Sequence, residues 1–145
     1  MLTSDPHRAE DLTQTVLADA YRRWPKVAAA RTPDAYVRRM MVNAHLDWHR
    51  RRSSTERVTD LRDNEPAAET DPADRIVARD ALRQLLATLA PRARTVLVLR
   101  YYEDLDDAAI ADAMGISPSA VRATTSRALA TLRNGGAVDP VKETR

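Results

Sequence analysis

The sequence predicts an all-α protein: two small helical domains joined by a flexible acidic linker, the C-terminal one a helix-turn-helix. Three observations carry that reading. Apolar residues recur every three or four positions, and no segment alternates apolar with polar as a half-buried strand would. The stretch "SSTERVTDLRDNEPAAETDPAD", residues 53–74, holds Pro66, Pro72 and almost no large apolar side chain, so burial cannot offset the entropy of ordering it. Between Val121 and Leu132 large apolar residues nearly vanish, and one side of the expected helix shows Ser119, Arg122, Ala123, Ser126 and Arg127.

Each element has its own signals. Asp5-Pro6 supplies an N-cap followed by proline at the first helical position, and the helix it opens runs through about Trp24, with Pro25 as its stop. Leu12, Val16, Ala20 and Trp24 recur every four residues and form one apolar stripe. Thr32-Pro33 repeats the cap grammar and opens a second helix through about Arg52, with Val37, Met40, Met41, Ala44 and Trp48 facing inward. The first domain is therefore 1–52 and the linker 53–73. Ile76, Leu82, Leu85, Leu86 and Leu89 make a third helix, Pro91 starts a fourth carrying Val96, Leu97 and Leu99, and "DAAIADAM" is a fifth. From Asp107 onward Ile110, Met114, Ile116 and Val121 have the spacing of a helix-turn-helix, with small Ala111 where two helices cross and Gly115 in the tight turn. Ser117 caps the last helix and Pro118 preorganises its first turn. Val121, Thr124, Ala128 and Leu132 then share one side, opposite the small basic face. This second domain spans 74–134, and 135–145 is a flexible tail.

Composition narrows the function. With no cysteine in 145 residues there are no disulfides, thiolate zinc sites or thiol chemistry. Three glycines leave no Gly-rich phosphate loop, and no nucleophile–base pair is visible, so neither an enzyme, a cofactor nor a small-molecule substrate is expected. His45 and His49 have the spacing of a two-ligand metal site, but His7 is the only other histidine; both are read as exposed polar side chains, or His49 as a phosphate contact, and no metal is expected. No signal sequence is read at the N-terminus, and the longest aliphatic run, "VLVL" at 96–99, is far short of a membrane span, so a cytoplasmic protein without membrane insertion is expected.

Charge is informative by its placement. The formal net charge is only +2, yet 21 of the 23 basic residues are arginine, the side chain suited to bidentate phosphate and base contacts. Residues 22–52 carry nine basic groups against Asp34 and Asp47, whereas 60–80 carry seven acids against Arg62, Arg75 and Arg79. No acid occurs between 113 and 138. A small basic helical face fits the DNA major groove, where arginine pairs with guanine edges and small residues let the backbone approach.

The segments "AEDLTQTVLADAYRRW", "AYVRRMMVNAHLDWHRRR" and "LAPRARTVLVLRYYEDLDDAAIADAMGISPSAVRATTSRALATLR" resemble the second and fourth conserved regions of extracytoplasmic-function (group IV) sigma factors of the sigma-70 family, most closely an actinobacterial SigE-like subgroup. The resemblance covers Asp5 to Arg133 and implies the promoter-reading subunit of bacterial RNA polymerase, active in transcription initiation. Glu10, Asp11, Leu12 and Gln14 match the motif that docks the polymerase beta-prime clamp, and the beta flap is a further implied contact. Asn43 and Asp47 match positions that recognise an unpaired minus-10 base, with Arg38, Arg39, Arg50, Arg51 and Arg52 holding phosphates nearby. Trp48 has two readings, stacking on a melted base or packing in the core. Ser117, Ser119, Arg122, Ala123, Ser126 and Arg127 fall to the minus-35 element. Implied partners are core RNA polymerase, promoter DNA and an anti-sigma protein.

Family members normally carry a further amphipathic helix before the segment matching "SDPHRAEDLTQ", and here Met1 lies four residues ahead of Asp5. The expectation is an N-terminally short first domain whose stripe at Leu12, Val16 and Ala20 must be covered by something else, most simply the C-terminal domain folding back across the linker. The alternative function is a helix-turn-helix regulator that binds duplex DNA without polymerase.

Overall fold

A computed structural model describes residues 2–3, 5–55 and 73–136. Most of the expected linker and tail lies outside the described residues. Seven α-helices are seen among those residues, and no strand: α1 (Pro6–Arg22), α2 (Trp24–Ala29), α3 (Pro33–Thr55), α4 (Ala73–Ala87), α5 (Pro91–Leu97), α6 (Asp107–Met114) and α7 (Pro118–Gly136). Helix α5 runs on through a single π-helical turn, Val98–Tyr102.

The N-terminal cap forms as expected: the Asp5 carboxylate accepts the His7 N–H at 2.9 Å, and Pro6 takes the first helical position, where its missing N–H costs nothing. Pro25 behaves differently from the expected stop. The chain breaks at Arg23, and Pro25 sits in the first turn of the new helix α2, the other position that tolerates a residue without an N–H. The same break takes Trp24 off the α1 stripe; it is 57% exposed, while Val16 and Ala20 are buried where α1 meets α2 and α3.

Helix α3 also departs from a single inward stripe. Val37, Met40, Met41, Ala44 and Trp48 are only half-buried, and the residues fully withdrawn from solvent are Val42 and His45. The reason is that α3 is covered on more than one side. Helices α1 and α2 pack on it, and so do α5 and α6. Val42 joins Val96, Leu99, Ile110, Ala111, Met114 and Val121 in one core cluster, with Leu46 packed against it. The C-terminal helices therefore do fold back onto the N-terminal ones, and the contact is made chiefly through α3.

A second cluster holds the C-terminal helices together: Leu86, Leu89, Leu97, Val98 and Ala128, with Leu2 from the N-terminal segment packed against it. Leu82 and Leu85, expected inward, are exposed, and α4 makes its core contact through Leu86. Arg94 is buried and donates to the Leu2 and Leu89 carbonyls at 3.2 and 3.3 Å, a tie between chain start and C-terminal helices that no sequence pattern signals.

Candidate nucleic-acid and polymerase interface

The helix-turn-helix is built from local chemistry. Asp106 caps α6 by accepting the Ala109 N–H at 2.8 Å. Gly115 ends α6 in the left-handed region, φ +66°, which glycine reaches without the strain a Cβ would add. The turn closes with the Ile116 N–H on the Ala111 carbonyl at 3.1 Å. Ser117 Oγ accepts the Ala120 N–H at 3.1 Å, the N-cap read from the sequence, and Pro118 opens α7.

Along α7, Val121 and Ala128 are buried and Thr124 and Leu132 half-buried, while Ser119, Arg122, Ala123, Ser126 and Arg127 are exposed. Short side chains make up the face apart from its two guanidinium groups. Arg122 Nη1 lies 3.6 Å from Asp107 Oδ2, and the other oxygen of Asp107 takes Arg100.

On the N-terminal helices, Asp11, Leu12, Asn43, Asp47, Trp48 and Arg51 line one groove of about 620 Å³ between α1 and α3. Residues read separately as polymerase-docking and minus-10 positions thus share a single concavity. Asn43 is exposed, and Asp47 one turn later is paired with Arg50 on the same helix. Arg39 reaches across to Asp112 of α6 at 3.8 Å, so it serves the contact between the two halves of the chain. Arg38 and Arg52 are half-buried, and Arg50 and Arg51 exposed.

Trp48 is neither a core residue nor an open stacking platform. Its ring is half-buried, with the Arg8 guanidinium carbon 3.1 Å from the ring centroid and that of Arg52 at 4.8 Å. Arg8 is also hydrogen-bonded to His49 Nε2 at 3.1 Å.

His45, expected at the surface, is fully buried, with neither ring nitrogen hydrogen-bonded. Burial first, then the positive surroundings of His49, Arg8 and Arg94, push its pKa down from 6.5 to about 3. It is therefore neutral in the fold at neutral pH. The unfolded chain takes up the proton near pH 6.5 and the folded one does not, so stability is full above that pH and falls below it, by about 2 kcal/mol at pH 5. His45→Leu is expected to flatten this acid loss and to raise stability at pH 7, because two unsatisfied polar atoms leave the core. Thermal unfolding of both chains between pH 7.5 and 5 is the check; parallel curves would place His45 outside the core.

Glu10, Asp11 and Gln14 are exposed on α1 and Leu12 half-buried. Leu17 and Tyr21, 55% and 83% exposed, continue the Glu10–Gln14 face at spacings of three and four residues, an extension that sequence reasoning misses. Its periodicity is visible in the sequence, but the stronger stripe through Val16 and Ala20 masks it. The α1–α3 groove and the α7 face share no lining residue. Among the described residues no group of three or more His, Asp or Glu side chains could hold a metal, and no helix is long and apolar enough to cross a membrane.

A basic, small-residue helix behind a glycine-closed turn has the architecture of a helix-turn-helix DNA-binding element. Residues 1–55 match the family model "Sigma-70 region 2" and residues 79–132 match "Sigma-70, region 4". The RNA polymerase sigma-E factor of Streptomyces antibioticus is 40% identical over 136 residues, covering 91% of this chain and 72% of the relative. The protein of the same name from Streptomyces coelicolor is 39% identical over 132 residues, covering 91% and 73%. RNA polymerase sigma factor SigF of Mycobacterium tuberculosis is 43% identical over 61 residues, 42% of this chain and 23% of that one. The chain belongs to the sigma-70 family, as an extracytoplasmic-function sigma factor of the sigma-E-like type. Sigma factors act in transcription initiation and are not a class of enzymes.

Proposed function

We propose that this sigma factor directs core RNA polymerase to promoters in the cytoplasm, reading the minus-10 element with α3 and the minus-35 element with α7. The observation that carries the reading is the exposed face Ser119, Arg122, Ala123, Ser126 and Arg127, presented by the capped, glycine-closed turn. Asn43 and Asp47 at the α1–α3 groove take the unpaired minus-10 base, with Arg38, Arg50, Arg51 and Arg52 on phosphates. Trp48 joins them once the guanidinium groups above it rearrange. The domain organisation read from the sequence, residues 1–52 and 74–134 about an acidic linker, is part of this proposal. The match of residues 1–55 to region 2 favours it over a regulator acting without polymerase.

Polymerase docks on α1. Glu10, Asp11, Leu12 and Gln14 meet the beta-prime clamp, and Leu17 and Tyr21 extend that surface with apolar area. The beta flap falls to the C-terminal helices, and an anti-sigma protein would compete for these surfaces. Charge reversal at an exposed interface acid places like charge against a basic partner, so Asp11→Arg is expected to lower affinity for core polymerase at least tenfold while duplex binding by α7 stays unchanged. Titration of labelled chain with purified core enzyme measures this. Equal affinities of the two chains would remove α1 from the polymerase interface.

A further inference from the structure

Asp107 is the first residue of α6 and does not cap it; Asp106 does. Its carboxylate instead joins two arginines from different elements. One oxygen takes Arg100, which the π-helical turn carries, and the other lies 3.6 Å from Arg122 on the exposed face of α7. The π turn is real in hydrogen bonding, with the Glu103 N–H reaching the Val98 carbonyl at 3.1 Å, and such insertions re-aim the side chains they carry. Asp107 and Arg100 are 27% and 26% exposed and Arg122 is 61% exposed, so the carboxylate links a sheltered cation to one that faces solvent. Among the described residues no ion pair is seen at Arg127, the other arginine of the face.

That difference has a consequence for reading DNA. The 3.6 Å contact is an ion pair and not a hydrogen bond, so Asp107 biases where the Arg122 guanidinium sits without locking it. A guanidinium so biased loses less freedom when it meets a guanine edge, whose bidentate geometry is strict. An unheld one adapts to phosphates, which are tolerant of angle and carry no sequence information. The carboxylate also offsets part of the positive charge that would draw Arg122 to the phosphate backbone, which weighs against that contact relative to the base edge. We infer that Asp107 is a specificity-determining residue: it positions Arg122 as a reader of a base in the minus-35 element, while Arg127 binds phosphate. This rests on the α7 readout proposed above.

The test is selection of duplexes from a randomised DNA library by the full chain and its variants, with the salt dependence of binding measured on a selected duplex and on an unselected one. Asp107→Asn keeps the shape and removes the charge. It is expected to relax the preference at a single base-pair position about tenfold, to bind the unselected duplex as tightly as wild type or more tightly, and to steepen its salt dependence. Arg122→Ala should erase the same position, and Asp107→Asn in the Arg122→Ala background should change that preference no further. Arg127→Ala should weaken all duplexes alike. Full retention of the preference by Asp107→Asn, alongside its loss in Arg122→Ala, overturns the inference and leaves the α7 readout standing. Retention of every preference by Arg122→Ala overturns both.

Discussion

A chain carrying Arg39→Cys and Asp112→Cys, bridged by a short bis-maleimide, is expected to lose promoter-dependent transcription at least tenfold while keeping its affinity for a minus-35 duplex. The chain has no cysteine of its own, so the reagent acts only at these two sites. They face each other across the contact of α3 with α6, where the native pair is 3.8 Å apart. Helices in contact lie about 8–10 Å apart. Two DNA elements centred some 25 base pairs apart are separated by about 85 Å, at about 3.4 Å per base pair. A protein that reads both with α3 and α7 must part these helices first. The seventeen residues between Thr55 and Ala73 reach at most about 60 Å when extended, and α3, 23 residues and about 35 Å long, adds the rest of the separation. The bridge forbids it. The same chain capped with a monofunctional maleimide carries the same two substitutions and should transcribe at least tenfold better than the bridged one; equal activity of bridged and capped chains would show that both elements are read from the docked arrangement.

The largest effect on stability is expected at Val42. It is 1% exposed and is the buried residue through which α3 enters the core shared with α5, α6 and α7. Val42→Asp places an unpaired carboxylate there, at a cost of about 4 kcal/mol or more, a large part of the stability of any small domain. Relieved of that contact, α1–α3 form a unit too small to bury much of its own surface. Scattering should show the two halves apart, and helicity over residues 5–55 should fall. A compact variant with unchanged melting would mean that α3 is held by α1 and α2 alone. The exposed face of α7 takes no part in this core, so the variant's duplex binding should survive.

These two results bear on the part of the structure least legible in the sequence. The helix-turn-helix could be read residue by residue because its determinants are local: a cap at Ser117, glycine where φ is positive, small Ala111 at the crossing and a period of apolar residues through Ile110, Met114 and Val121. Helix α3 could not. A stripe argument assigns one inward face, and α3 has neighbours on several sides, so Val42 and His45 became the buried positions while the expected residues stayed half-covered. His45 runs against residue-type preference as well, since nothing in a polar imidazole announces burial without a partner. Pro25 failed for a different reason. Proline is compatible with both the end of one helix and the first turn of the next, and only the backbone at Arg23 decides between them. At the candidate site, the residue types and their exposure on α7 were legible, but the Asp107 bridge was not, because it depends on where the π turn carries Arg100.

The central claim is that this chain gives core RNA polymerase its promoter choice. The direct measurement is run-off transcription with purified core enzyme and the full chain on fragments of genomic DNA, comparing starts with and without the chain. Transcripts are expected to begin at discrete sites only when the chain is present, with a shared sequence upstream that Arg122→Ala relaxes and a yield that Asp11→Arg lowers at least tenfold at limiting core enzyme. Discrete binding of the chain to duplex DNA, with no chain-dependent start at any concentration of core enzyme, would contradict it.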